Sequence, residues 1–215
     1  MQSDIAGIRK DYSQKALLET AVRPDPVQQF GQWWQEAMDS AIDEVNAMTL
    51  ATASADGLPS ARIVLLKGYS EKGFVFFTNY DSFKGKQLAE NPKACLVFFW
   101  KELERQVRIT GFVQKVSEKE SDEYFSSRPV ASQIGAAVSP QSQVIASRGW
   151  LEDQFNQVKE DKSRASSLAR PHHWGGYLVR PVMVEFWQGR PGRLHDRLEY
   201  SLKDSGEWKI ERLAP

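Results

Sequence analysis

The chain has 215 residues, enough for one domain with a real core or two small ones. Its 28 Lys and Arg are balanced by 28 Asp and Glu, which excludes the basic excess of a general nucleic-acid binder. No apolar run approaches the ~20 residues of a membrane span, so no membrane partner is expected.

Residues 1–24 are polar and uneven: a short helix around IAGIRKDY is expected, then a mobile arm. In DPVQQFGQWWQEAMDSA, Asp25 is placed to cap a helix and Pro26 to occupy its first position. Val27, Phe30, Trp34 and Met38 are spaced as its buried stripe. From residue 47 the pattern changes to strands. AMTLATAS, SARIVLLKGY and GFVFFTNY read as three, with ADGLP and SEKG as the turns between them. DSFKGKQLAENP is a short helix stopped by Asn-Pro. KACLVFFWKEL and RQVRITGFVQKVS are two more strands, and in the second Gln106, Arg108 and Thr110 share the wetter face. SEKESDEYFSSRP opens with a capping box, Ser117 and Glu120, and stops at Pro129. WLEDQFNQVKED is a charged amphipathic helix, and GGYLVRPVMVEFWQG, RLHDRLEYSL and EWKIERLAP close the chain as strands. Strands do not alternate regularly with long helices, which argues against a doubly wound parallel sheet. The expected class is α+β, an antiparallel barrel or sheet with helices packed around it.

Several chemistries are missing from the pattern. There is no phosphate-binding P-loop, no G-x-G-x-x-G and no G-x-S-x-G. His172 and His173 are neighbours and Cys95 is the only cysteine, so neither a metal spacing nor an internal disulfide is offered. A lone thiol and the lack of a signal-like start suit a reducing cytoplasm.

Three cationic groupings remain. Arg62 and Lys67 bracket RIVLLK; five residues apart, they project from opposite faces of a regular strand. They are either solvated ends of an apolar strand or two anion sites. The helix start at SFKGKQ offers backbone N–H groups and Lys84 to a phosphate, with Lys86 in solvent. Tyr124 and Arg128 sit one helical turn apart, and Ser132 follows the proline break. That trio is an oxyanion cradle or a surface stacking pair. Finally, Arg193, His195 and Arg197 share one face if RLHDRLEY is a strand, which asks for an anionic or electron-rich neighbour unless the face is simply solvated.

RIVLLK, FFTNYDSFKGKQ, LERQVRITG, YFSSRPVASQIGA, SPQS, VEFWQG, RLHDR and WKIERLAP occur in the order and approximate spacing of the pyridoxine/pyridoxamine 5′-phosphate oxidase family, which the chain resembles over nearly its whole length. The resemblance implies an FMN-binding split β-barrel over residues 25–215, a lid formed by residues 1–24, and a homodimer with FMN at the interface. It implies oxidation of a small phosphorylated pyridine, pyridoxamine or pyridoxine 5′-phosphate, to pyridoxal 5′-phosphate, with dioxygen reduced to hydrogen peroxide. Flavin contacts would come from Arg62, Ile63, Val64, Leu65, Leu66, Lys67, Phe77, Thr78, Lys84, Gln106, Gln141, Ser142, Trp187 and Arg197. Lys67, Tyr124, Arg128 and Ser132 would hold the substrate phosphate. Arg193 and His195 would act over the pyridine ring, and Arg9 and Tyr12 would belong to the lid. One departure stands out: Phe83 occupies a position where the resembled family usually carries arginine. A non-catalytic pyridoxal-phosphate carrier and another split-barrel flavoprotein are the competing expectations.

Overall fold

The computed structural model describes residues 11–161 and 168–215. Arg9 and most of the expected first helix lie outside the described residues. Helix α1 spans Pro26–Met38, α2 Phe83–Glu90, α3 Glu118–Ser127, α4 Val130–Val138 and α5 Arg148–Glu160. The strands are β1 Ala47–Ala53, β2 Pro59–Leu65, β3 Gly68–Ser70, β4 Gly73–Asn79, β5 Lys93–Trp100, β6 Arg105–Lys115, β7 Trp174–Gln188, β8 Asp196–Leu202 and β9 Trp208–Arg212. They hydrogen-bond in the order β2-β1-β5-β6-β7-β4-β3, with β8 on β7 and β9 on β8. Pairs β3–β4, β4–β7, β7–β8 and β8–β9 are antiparallel. Among the described residues no helix is long and apolar enough to cross a membrane.

The chain packs as two compact units. The first takes residues up to Thr49, Cys95–Gly111 and Pro181–Pro215. Helix α1 starts as its sequence dictates: the Asp25 carboxylate accepts N–H bonds from Val27 at 2.8 Å and Gln28 at 3.0 Å. The buried stripe is Val27, Phe30, Trp33 and Ala37, not Val27, Phe30, Trp34 and Met38. Packing decides between the two register paths. Trp33 meets Phe186 edge-on at 5.1 Å and carries the Arg105 guanidinium 4.2 Å above its ring. Met38 is left 54 % exposed, and Trp34 stacks on Phe30.

Residues 11–24 are tied to this unit largely through backbone. Glu104 turns the β5–β6 corner in the left-handed region at φ 55°. Its buried carboxylate accepts the main-chain N–H of Ser13 at 2.9 Å and of Gln14 at 3.2 Å. Its own carbonyl accepts from Gly189 at 2.7 Å. Further along, Arg212 binds Glu19, the Leu17 carbonyl and Asp196, and the Tyr200 hydroxyl donates to the Arg23 carbonyl.

The expected strand from Arg193 starts only at Asp196. Pro191 opens a short 3-10 turn, and Gly192 and Arg193 both take left-handed backbone at φ 63° and 62°. Pro-Gly is a turn signal that the alternation argument overlooked. Arg193 therefore does not share a pleated face with His195 and Arg197.

The second unit takes Leu50–Ala94 and Phe112–Arg180. Phe74, Phe76, Phe125, Ile134, Tyr177 and Val179 are among its large buried side chains. Ser82 caps α2 through Gly85 N–H, and Ser117 caps α3 through Glu120 N–H at 3.1 Å. Helix α4 has no counterpart in the sequence reading, where Pro129 only ended a helix; its ring also starts the next one. SARIVLLKGY is broken at Leu66–Lys67 into β2 and β3, so strand parity does not set the direction of Lys67. Its backbone N–H bonds the Val75 carbonyl at 2.8 Å instead.

Candidate active site

A cavity of about 900 Å³ opens in the second unit, near the upper end of the range for small-molecule sites. Strand β2 and the residues after it supply Arg62, Ile63, Val64, Leu65 and Lys67. Phe77, Thr78 and Asn79 come from β4, Phe83 and Lys84 from the start of α2. Tyr124, Arg128 and Ser132 come from α3, the proline corner and α4, and Gln141 and Ser142 from the loop beyond. Arg62 and Lys67, expected on opposite faces, thus line one cavity. Leu66 is buried in the core and does not line it, while Lys86 is exposed.

Four lining side chains are cationic, and no described lining residue is a carboxylate. Lys84 is the extreme case. It is 8 % exposed, and among the described residues its ammonium meets only neutral oxygens: Thr78 Oγ1 at 3.0 Å, Ser82 Oγ at 3.4 Å and Gln141 Oε1 at 3.5 Å. Burial, then the nearby Arg62 guanidinium, pull its pKa down. Burial also lowers the pKa of Arg62 and of Arg128. Arg128 lies 4.6 Å over the Trp174 ring, with its Nη1 buried and unbonded. Among the described residues none of these three cations is paired with a carboxylate, an arrangement that suits an anionic ligand.

One wall is aromatic. Tyr124 stacks on Phe77 at 3.9 Å and runs nearly parallel to Trp174 at 6.1 Å. Gly176 makes room for this wall, since a Cβ there would lie 2.7 Å from the Phe77 ring. Ser142 sits in left-handed backbone at φ 70°, a strained setting that clusters at ligand sites.

The other expected residues belong to the first unit. Tyr12, Trp187 and His195 form a ring cluster: Trp187–His195 at 4.7 Å, Tyr12–Trp187 at 5.7 Å and Tyr12–His195 at 5.8 Å. The Arg190 N–H donates to His195 Nδ1 at 3.1 Å, so the neutral ring carries its proton on Nε2. Arg193 is exposed beside this cluster in sequence. Arg197 is paired opposite Trp187 in the β7–β8 ladder and bonds the buried Glu185 at 2.8 Å, the bond that chiefly raises its pKa. Gln106 shares the half-exposed face of β6 with Arg108, whose guanidinium also reaches Glu185. No group of three or more metal-ligating side chains occurs among the described residues.

Residues 34–161, more than half of the chain, match the family described as pyridoxamine 5′-phosphate oxidase. The chain belongs to that family. Residues 174–215 match a further family region, the pyridoxine 5′-phosphate oxidase C-terminal dimerisation region, which carries Trp187, Arg193, His195 and Arg197. Relatives named pyridoxine/pyridoxamine 5′-phosphate oxidase are similar from end to end. That of Salinibacter ruber is 54 % identical, covering 99 % of this chain and all of the relative. That of Acaryochloris marina is 56 % identical, covering all of this chain and 97 % of the relative. Among solved structures, PhzG from Burkholderia lata in complex with tetrahydrophenazine-1-carboxylic acid has a TM-score of 0.86 at 28 % identity, covering 94 % of this chain and 100 % of that one. A pyridoxamine 5′-phosphate oxidase-related, FMN binding protein from Nostoc punctiforme shares the fold, with a TM-score of 0.70 at 19 % identity, covering 89 % of this chain and 98 % of that one. The fold is the split β-barrel implied by the resemblance.

Sequence reasoning missed Trp174 as a cavity residue, whereas position 83 stands out for its departure from the family arginine. It also missed Asn79, Gly135, Ala136 and Ser139. Trp174 lies just outside the strand expected from Gly175. A ring lying under Arg128, which is 46 residues away in sequence, leaves no local signal.

Proposed function

We propose that this chain is an FMN-dependent oxidase that converts pyridoxamine and pyridoxine 5′-phosphates to pyridoxal 5′-phosphate, with dioxygen reduced to hydrogen peroxide. The observation that carries this is the cavity with four cations and no described carboxylate in its lining, beside a stacked aromatic wall. The names of full-length relatives support the same activity.

The residues present fit the cofactor. Arg62 and the counter-ion-free Lys84 would hold its phosphate. Ile63, Val64 and Leu65 are apolar company for its flat ring, and Gln141 and Ser142 add polar atoms. When bound, FMN supplies the two-electron acceptor that polypeptide side chains lack and passes the electrons to dioxygen. Lys67, Tyr124, Arg128 and Ser132 form the second grip, on the substrate phosphate. Clamping that end sets the pose of the ring at the other, an advantage of position rather than of acid or base strength.

The match to a dimerisation region supports a homodimer. In our reading, the Trp187, Arg193, His195 and Arg197 group of a second copy completes each cavity, with Gln106 beside the flavin. His195, protonated on Nε2, donates to the 3-oxygen of the pyridine, and Arg193 balances the charge there. Tyr12 covers the ring. Cys95, a lone free thiol, is compatible with a reducing compartment, and in our reading the enzyme works in the cytoplasm.

The test is spectroscopic. Anaerobic addition of pyridoxamine 5′-phosphate to the FMN-loaded protein should bleach the oxidised flavin band. Air should restore it, with one pyridoxal 5′-phosphate formed per cycle. Pyridoxal-phosphate binding without any flavin marks a carrier; a flavin bleached only by other reductants marks a different oxidase.

Phe83 gives a second expected result. It is 55 % exposed at the first position of α2, next to Lys84, and adds no charge to the cavity. Phe83→Arg should tighten FMN binding about five- to thirtyfold, the worth of ~1–2 kcal/mol from a charge-assisted phosphate contact. Titration of apo-protein with FMN reads this directly; unchanged or poorer affinity rejects it.

A further inference from the structure

Arg62 enters the cavity from a buried polar frame. Its Nη1 donates to Thr52 Oγ1 at 2.6 Å and to the Leu50 carbonyl at 3.2 Å, and its Nη2 donates to Ser60 Oγ at 2.6 Å. Both hydroxyls then converge on one atom, Gln87 Oε1, at 2.6 Å from Thr52 and 2.7 Å from Ser60. Thr52 and Gln87 are buried, and Ser60 is half-buried.

The direction of every bond follows from the guanidinium, which has donors only. Each hydroxyl must accept from it and so needs an acceptor for its own proton. Gln87 must therefore turn its carbonyl oxygen inward, and its Nε2 is left buried without a partner. An orphaned buried donor is costly, and natural proteins keep few of them. Here the cost has a return. A carboxylate at position 87 would accept the same two bonds but would offset the charge of Arg62. A neutral amide fixes the guanidinium plane through both terminal nitrogens and leaves its charge for a ligand.

We propose that Gln87, acting through Thr52 and Ser60, is a positioning residue for Arg62 and sets the affinity of this end of the cavity for the flavin phosphate. The inference rests on the FMN reading above. It reaches residues one and two hydrogen bonds behind Arg62, none of which lines the cavity.

The test compares FMN with riboflavin, which has the same ring but no phosphate, by fluorescence quenching on apo-protein prepared from the holoenzyme. Thr52→Val removes the hydroxyl at nearly constant volume. It should weaken FMN about tenfold and leave riboflavin unchanged. Thr52→Ser should restore FMN to within about twofold of the parent, since the hydroxyl returns. Gln87→Glu keeps the acceptor but adds charge; it should weaken FMN about tenfold and flatten the fall of affinity with salt. Equal losses for FMN and riboflavin overturn the inference, as does parental FMN affinity in either Thr52→Val or Gln87→Glu. If Thr52→Val does not fold, the Gln87→Glu salt series decides alone. A parent that fails to bind FMN at all sinks the FMN reading itself, and this inference with it.

Discussion

A Lys84→Met protein should melt at a higher temperature than the parent when both are free of flavin, yet bind FMN about 10- to 100-fold more weakly. Both effects have one cause. The ammonium of Lys84 is nearly out of solvent and is met by three neutral oxygens. Removing water from a charge that finds no counter-ion destabilises the empty protein, and methionine fills similar space without that penalty. A phosphate restores the missing partner and returns the penalty as affinity. The pH dependence carries the same signature. The folded-state pKa of Lys84 lies below its unfolded value. Between the two, the unfolded chain holds a proton that the folded chain has released. Stability of the empty protein therefore rises with pH across that window. Binding of FMN there pulls a proton back, so its measured heat depends on the ionisation enthalpy of the buffer. The Met variant should lose this dependence. A lower melting temperature with parental FMN affinity would make Lys84 a structural residue instead.

Arg128→Ala should cut kcat/KM for pyridoxamine 5′-phosphate about 100-fold, while unphosphorylated pyridoxamine is oxidised at the parental efficiency and FMN stays bound. The guanidinium lies over the Trp174 ring, 4.6 Å from its centroid, and keeps a buried, unbonded Nη1. A group so placed contributes little until an anion accepts from it, so its loss falls on the phosphorylated substrate alone. Equal losses for both substrates would mean that Arg128 supports the aromatic wall rather than the phosphate. Release of FMN in this variant would assign Arg128 to the cofactor.

The elements were legible wherever a local rule governs them. Asp25 and Ser117 cap their helices as expected, and the alternation over Gln106–Thr110 gives the buried and half-buried faces of β6. The reading failed where long-range packing overrode a period. Trp33 displaces Trp34 from the α1 stripe because Phe186 and Arg105 meet it there. It failed again where a turn cut a strand, at Leu66–Lys67 and at Pro191–Arg193. Arg62, Lys67, Lys84, Tyr124, Arg128 and Ser132 stand out in the sequence as cationic or polar groupings, and all six line the same cavity. Trp174 and the Thr52–Gln87 frame do not stand out there, because their role exists only after strands far apart in sequence are brought together.

Glu104 grips the start of the described chain at Ser13 and Gln14 by main-chain amides. Recognition of that kind reads the course of a segment and ignores its spelling. The side chain at position 13 is therefore free to drift over evolutionary time, with proline alone forbidden there because it has no amide proton to give. The aromatic ring at position 12, by contrast, is held to its shape by the indole and imidazole it touches. Freedom of sequence is thus confined to position 13: its neighbour Gln14 is also held through its side chain, which donates to the Glu102 carbonyl at 2.6 Å.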